Sequence, residues 1–265
     1  MSEAPFHILF TLLFVAYIKI FSLKGVKLLL HRFRAVALNR KRITQLSKLS
    51  NFLRFSDWMS AHSQLSVNDY PAKGNVYKRR YLVHEYVAEK MVANEPVNYL
   101  EFGVADCETF YWWLEKNQHP DSRFFGFDTF TGLPEDWGNY KRGTFSLGGE
   151  IPTVNDSRAS LYKGLFQDTL HEFLSAGLSD NRKVILLDAD LYSSTLFVLT
   201  TLAPHLRTDD ILIFDEFNSP SDEFRALEDF LSAFSYIRME PFGAANNYAC
   251  VGFKVTMARR SANKT

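Results

Sequence analysis

Apolar and polar positions change their rhythm at Tyr77. From there, helix-length stretches of mixed character alternate with short, almost continuous apolar runs. The pattern predicts a helix over Tyr77 to Ala93 and a strand at Val97–Leu100. A second helix then runs to about Asn117, followed by a strand at Phe124–Phe127. Leu161–Lys163 is the third predicted strand, with a helix from Asp168 to Ala176 behind it. Val184–Leu187 and Ile211–Phe214 are the next two, separated by a helix from about Ser193 to Leu206. A helix from Asp222 to Phe234 and two strands, near Tyr236–Met239 and Ala249–Val255, finish the series. Short apolar runs separated by helices imply a mostly parallel sheet covered on both faces, here of seven strands in a three-layer α/β sandwich.

Four of these strands end in acids: Glu101, Asp128, Asp188 and Asp215. Ligands of open parallel sheets sit beyond the carboxyl ends of the strands, at the switch in strand order. Acids repeated at those ends therefore predict one site. The same acids are also compatible with caps of the helices starting near Leu191 and Ser221. Between Thr129 and Arg158 lies a long irregular insert with Trp137, Tyr140 and Phe145. Loops of that length are usually functional or disordered, and a lid over an acceptor is the expectation.

The stretch before Tyr77 differs. Phe6 to Leu23 is apolar apart from His7, Thr11, Lys19 and Ser22. Its 18 residues span about 27 Å as a helix, against about 30 Å for a hydrocarbon core. A basic stretch follows, without a small-residue cleavage pattern. The expectations are a membrane anchor with its basic flank over residues 1–42, a connecting region over 43–76, and the α/β domain over 77–258. A membrane span, an interfacial helix and a helix docked on the domain all remain open. The basic flank is C-terminal, which places the domain on the cytoplasmic side.

Charge sharpens the division. The 30 basic and 30 acidic residues cancel overall, but ten of the basic ones lie between Lys19 and Arg54, where no acid occurs. With those ten and Glu3 set aside, Phe55 onward carries 20 basic and 29 acidic residues, a net of −9. Such a domain is a poor general binder of nucleic acid. Cys107 and Cys250 supply neither a disulfide framework nor a zinc site. His171 and His205 fall within predicted helices and are expected at the surface.

Gly103 follows the first strand, and with no Cβ it lets a ligand pass close to the backbone. Asp128, 27 residues after Glu101, is placed to accept hydrogen bonds from ribose hydroxyls. A dinucleotide needs a Gly-x-Gly-x-x-Gly loop for its pyrophosphate. This loop has one glycine, flanked by Glu101 and Asp106, which repel a diphosphate. S-adenosylmethionine carries no phosphate and suits the loop better.

The segments YLEFGVADCETF, GFDTFTGLPEDW, GLFQDTL, LLDADLYSSTL and ILIFDEF, in that order, resemble the macrocin O-methyltransferase (TylF-like) family. The likeness runs from about Tyr77 to Lys254. It implies a Rossmann-like class I methyltransferase fold using S-adenosylmethionine and a divalent metal, usually Mg²⁺, to methylate hydroxyls of sugars on antibiotics. By that likeness Glu101, Gly103, Asp128, Thr129 and Phe166 bind the cofactor. Asp188, Asp215 and Glu216 are the metal-binding carboxylates. Asp190 is the base, with Asp188 beside it in the catalytic set; on its own residues Asp190 is equally a cap or turn. The chain departs from the family pattern at Cys107, often glycine there, and at Glu216, where the usual second Asp is lengthened by a methylene. The likeness implies a glycosylated small-molecule acceptor; the leader, outside the likeness, adds a membrane as expected partner, and a second copy of the chain is left open. A membrane-tethered methyltransferase-fold scaffold without turnover is the competing reading.

Overall fold

Consecutive residues of the central strands part to opposite faces of the sheet. Val184 and Leu186 join the buried layer that holds Tyr99, Phe110 and Trp113, while Ile185 and Leu187 join the one that holds Phe102, Val198 and Phe230. The same split separates Ile211 and Ile213 from Leu212 and Phe214. An unbroken apolar run is what a strand buried on both faces requires. In the computed structural model, which describes residues 40–257, that run forms the middle of an eight-stranded sheet.

The strands are β1 (Val67–Asn68), β2 (Val97–Phe102), β3 (Arg123–Asp128), β4 (Ala159–Lys163), β5 (Arg182–Leu187), β6 (Ile211–Phe214), β7 (Arg238–Ala245) and β8 (Cys250–Met257). Their order across the sheet is β1-β7-β8-β6-β5-β2-β3-β4. All pairings are parallel except those of β8 with β6 and β7. The helices are α1 (Arg40–Ala61), α2 (Tyr81–Tyr86), α3 (Glu108–Lys116), α4 (Phe166–Ala176), α5 (Tyr192–Leu202) and α6 (Glu223–Ala233). The expected three-layer, mostly parallel architecture is present, with eight strands rather than seven. From β2 the chain proceeds to β3 on one side, while β5 pairs on β2's other side. The switch in strand order therefore lies between β2 and β5.

Three sequence expectations are corrected. The helix expected over Tyr77 to Ala93 is a 3-10 turn (Tyr77–Arg80), then α2, then a π turn (Val87–Val92). The strand expected at Tyr236–Met239 extends to Ala245 as β7, through Pro241 and Gly243, with register shifts on either side of Pro241. Proline interrupts a ladder and is tolerated at such irregularities, which hid the strand from a periodicity argument. Finally, residues 43–76 are not a connector throughout. A boundary between two units falls after Ser47, and Lys48 onward belongs with the sheet. Phe55 of α1 is buried and meets Phe224 edge-on at 5.2 Å, and Trp58 meets Phe217 at 5.1 Å. Val67 and Asn68 add the edge strand to β7. Asn246 and Asn247 accept the amides of Val76 and Ala72 through their side chains.

The apolar leader Phe6–Leu23 lies outside the described residues. Among those described, no helix is long and apolar enough to cross a membrane.

At the amino end of the sheet, Lys183 and Asp210 form a buried ion pair at 2.9 Å. Asp210 also accepts the amides of Lys183 and Arg207. Removing one member of a buried pair strands the other charge, at a cost of about 3–5 kcal/mol. Asp210→Ala should lower the unfolding free energy by that amount in a denaturant titration. A loss below about 1 kcal/mol would show that the pair does not support the sheet.

Candidate active site

A cavity of about 490 Å³ opens at the carboxyl ends of the parallel strands. Its lining includes Gly103 beyond β2, Asp128 at the end of β3, Asp188 and Asp190 beyond β5, and Asp215 and Glu216 beyond β6. Ligand pockets of small-molecule enzymes are of this size and lie at this position in open α/β sheets. Asp128, Asp188, Asp190, Asp215 and Glu216 thus share one rim, as the strand-end acids predict.

Glu101 does not join them. It is the penultimate residue of β2 and shares a face with Tyr99, so its side chain enters the layer beneath α3. It is 1% exposed and accepts the Tyr99 hydroxyl at 2.5 Å. Burial pushes its carboxyl well above the usual range, with Asp188 adding to the shift. Its assignment to the cofactor is corrected: Glu101 is absent from the cavity lining, and its carboxylate is engaged by Tyr99.

Gly103 serves the backbone more than the ligand. A Cβ here would meet the backbone oxygen of Asp188 at 1.8 Å, and the residue has φ +98°. Its amide donates to Phe127 O at 2.9 Å, while Asp188 N donates to Phe102 O at 2.9 Å. The glycine lets the loops after β2 and β5 touch at the switch point. Asp128 then pins that loop: its Oδ2 accepts Ala105 N at 2.9 Å and its Oδ1 accepts Phe130 N at 2.6 Å. Each carboxylate oxygen retains acceptor capacity for a ribose hydroxyl. Cys107 closes the loop at φ +69° with its side chain fully buried. That left-handed backbone explains the glycine in the family pattern, since a side chain there costs about 1–2 kcal/mol.

Thr129 and Phe166 both line the cavity. The Thr129 hydroxyl donates to Gly132 O at 2.9 Å, and Phe166 packs edge-on against Phe102 at 5.3 Å. The insert after β3 is an ordered wall. Trp137 stacks on Tyr140 at 5.4 Å, and Phe145 lies 5.3 Å from Tyr140. Trp137 Nε1 donates to Asp222 at 3.3 Å and Ser193 donates to Glu135 at 2.5 Å, which ties the insert to α6 and α5. All three aromatic rings border the cavity. His171 and His205 are exposed, away from it.

The expected ligands of Mg²⁺ lie beside a guanidinium. Arg80, 5% exposed, reaches Asp188 Oδ2 through Nη1 at 3.3 Å, and Asp215 lies next to it with both carboxylate oxygens buried and without a hydrogen-bond partner. Nη1 also donates to the Tyr77 hydroxyl at 2.7 Å, and the Tyr77 ring lies 3.9 Å from the guanidinium carbon. Burial raises the Asp188 carboxyl, and Arg80 opposes the shift. Among the described residues, the possible ligand atoms that gather within 4.8 Å of one another are those of His84, Asp215 and Cys250. That trio does not suit a cation. Trp113 Nε1 donates to His84 Nδ1 at 3.0 Å, so the proton of the neutral ring sits on Nε2. Burial drops His84 to about 3 and raises the Cys250 thiol far above its usual value. The oxygen donors Asp188, Asp215 and Glu216 have the right chemistry for Mg²⁺ and are the residues that would hold it.

Sequence reasoning missed Arg80, Tyr77, His84 and Glu223. Arg80 had a signal: with Val83, His84 and Val87 it follows the i, i+3, i+4, i+7 spacing of a buried face. A cation on that stripe announces a buried counter-charge. Glu223 opens α6, and its Oε2 accepts Glu216 N at 3.0 Å.

Strand order and the acid-rimmed cavity at the switch point define a class I methyltransferase fold. Residues 152–238 match the family model Macrocin-O-methyltransferase (TylF). Among solved structures, CalS11, a calicheamicin methyltransferase, is similar at TM-score 0.50 and 18% identity, over 96% of this chain and 94% of that one. The O-methyltransferase NovP is similar at TM-score 0.50 and 19% identity, over 67% of this chain and 80% of that one. No curated protein matches in sequence. The matched residues contain GLFQDTL, LLDADLYSSTL and ILIFDEF, and there the family model agrees with the likeness in the motifs.

Gly103→Ala should lower the melting temperature and abolish cofactor binding, because its Cβ would drive the β2 and β5 loops apart. Calorimetry with S-adenosylmethionine and a thermal melt check both. Wild-type values in either would mean that the loops have room.

Proposed function

We propose that this chain transfers a methyl group from S-adenosylmethionine to a hydroxyl of a sugar or glycosylated small molecule. The observation that carries the reading is one cavity lined by Asp128, Asp190 and the aromatic rings of Trp137, Tyr140 and Phe145. Support for a glycosyl acceptor comes from the TylF match and from the apolar faces of Trp137, Tyr140 and Phe145, which suit the C–H faces of a sugar or an apolar aglycone.

S-adenosylmethionine supplies an electrophilic sulfonium methyl, so the obstacle is the weak nucleophilicity of a neutral hydroxyl. Asp190 answers it. Its backbone is held at φ +57°, a strained conformation common at functional sites. Burial, with Asp188 and Glu216 nearby, pushes its carboxyl up to about 8. A base near the working pH is well matched to proton transfer. The acceptor proton passes to Asp190 while the oxygen forms the new C–O bond. The C–S bond breaks with its electron pair staying on sulfur, which leaves a neutral thioether.

Attachment to a membrane through Phe6–Leu23, with the domain facing the cytoplasm, is part of the proposal and rests on the apolar, basic-flanked sequence alone.

Calorimetry separates this reading from a scaffold without turnover. Micromolar binding of S-adenosylmethionine is expected, weakened about ten- to 150-fold in Asp128→Ala by loss of a charged hydrogen bond. No heat up to millimolar cofactor would favour the scaffold. In turnover, kcat/KM should climb about tenfold per pH unit below about 8 and level off above it, as Asp190 loses its proton. Asp190→Asn should lower the rate by about 10²–10⁴ and remove that limb. An unchanged profile in the variant would take Asp190 out of the reaction.

A further inference from the structure

The domain uses only one face of α1. Phe55 is buried against Phe217 and Phe224, Trp58 packs on Phe217 and Tyr248, and Asn51 Nδ2 donates to Ser221 Oγ at 3.3 Å. These residues recur at three- and four-residue spacing, as one face of a helix does. Leu46, Leu49 and Leu53 keep the same spacing on the opposite side, flanked by Ile43 and Phe52. Each of these five side chains is more than half exposed. Beyond Leu53 the outer face turns polar, with Ser56, Asp57 and Ser60 exposed. Exposed apolar side chains scattered singly are ordinary, but five along one stripe mark a contact surface.

The charge around the stripe selects the partner. Arg40, Lys41, Arg42, Lys48 and Arg54 are the basic residues of α1, and Asp57 is its one acid. They close the run from Lys19 to Arg54 that holds ten basic residues and no acid. A twofold contact between copies would set α1 on α1 and bring like charges together. Lys24 to Arg34, the stretch that follows the apolar leader, is basic too and meets the same objection. A nucleic acid would answer the charge and leave the leucines in water. An anionic lipid surface satisfies both, since the acyl boundary takes the stripe and the headgroups take the Lys and Arg ends.

We propose that the outer face of α1, from Ile43 to Leu53, lies on an anionic lipid surface. The inference rests on the membrane attachment read from the leader and adds a contact that the leader does not supply. Because Phe55 and Trp58 pack α1 onto the domain, this contact fixes the domain against the lipid instead of leaving it on a tether.

Spin labelling of the full chain tests it. Cys107 and Cys250 are buried, so a nitroxide can be placed selectively at Leu53→Cys. A second sample carries it at Glu115→Cys on α3, which packs on the other face of the sheet. On vesicles containing phosphatidylserine, the Leu53 label should gain accessibility to oxygen and lose accessibility to an aqueous nickel chelate. The Glu115 label should stay in water. On phosphatidylcholine alone, which has no anionic headgroup, the Leu53 label should stay in water too. A Leu53 label left in water on phosphatidylserine vesicles that hold the chain would overturn the proposal while the leader's attachment stands. No binding to either vesicle would overturn both. Equal depth on the two vesicles would remove the anionic requirement and the proposal with it. Shielding already present without vesicles would also overturn it, in favour of a second copy if the spectrum shows dipolar broadening and of another segment of this chain if not. A circular-dichroism melt checks that each labelled chain folds, and Leu49→Cys replaces Leu53→Cys where that variant does not.

Discussion

Acids gathered at the rim of a parallel sheet repel one another, and the fold must either neutralise them or keep them protonated. Two unit charges about 4 Å apart interact by about 4 kcal/mol at an effective dielectric of about 20. That is comparable to a large share of a domain's stability. Both solutions are present. Arg80 places one positive charge against Asp188, at 3.3 Å. Burial pushes Asp190 up to about 8 and Glu216 up to about 7 on the rim, and raises Glu101 and Glu223 beneath it. The rim therefore carries less charge than its count of carboxylates suggests.

The second constraint is steric. The switch point exists only because β2 and β5 run side by side and their following loops nearly touch. Gly103 makes that approach possible, and Asp128 then ties the β2 loop to the turn after β3 through two backbone amides. One residue secures the gap and the other secures its edge, so the cavity is preformed by backbone contacts. The insert after β3 completes it with aromatic faces held to α5 and α6. The cavity wall is thus built from different parts of the chain, with Asp190 and Arg80 both in its lining.

Much of this was legible beforehand. Continuous apolar runs such as Val184–Leu187 and Ile211–Phe214 imply strands covered on both faces, because each successive side chain needs its own buried layer. Acids at the ends of such runs, together with a lone glycine after the first, pointed to the carboxyl edge of the sheet, where the cavity opens. Asp128, Asp188, Asp190, Asp215 and Glu216 do share one rim. Less legible were β7, broken by Pro241 and Gly243, and the two-residue β1, too short to carry a period.

What the amino-acid sequence determined alone was local: which residues turn inward, where each strand stops, and which stops carry charge. Tertiary structure decided everything that depends on meetings between distant segments. Arg80 and Asp188 are separated by 108 positions and meet only because β5 lies beside β2. Glu101 sinks beneath α3 instead of facing the cavity because strand alternation gives it the face of Tyr99. The physical reason is the same in each case. Periodicity reports the burial of a side chain, whereas the partner it finds there is set by strand order and by the crossing of helices over the sheet.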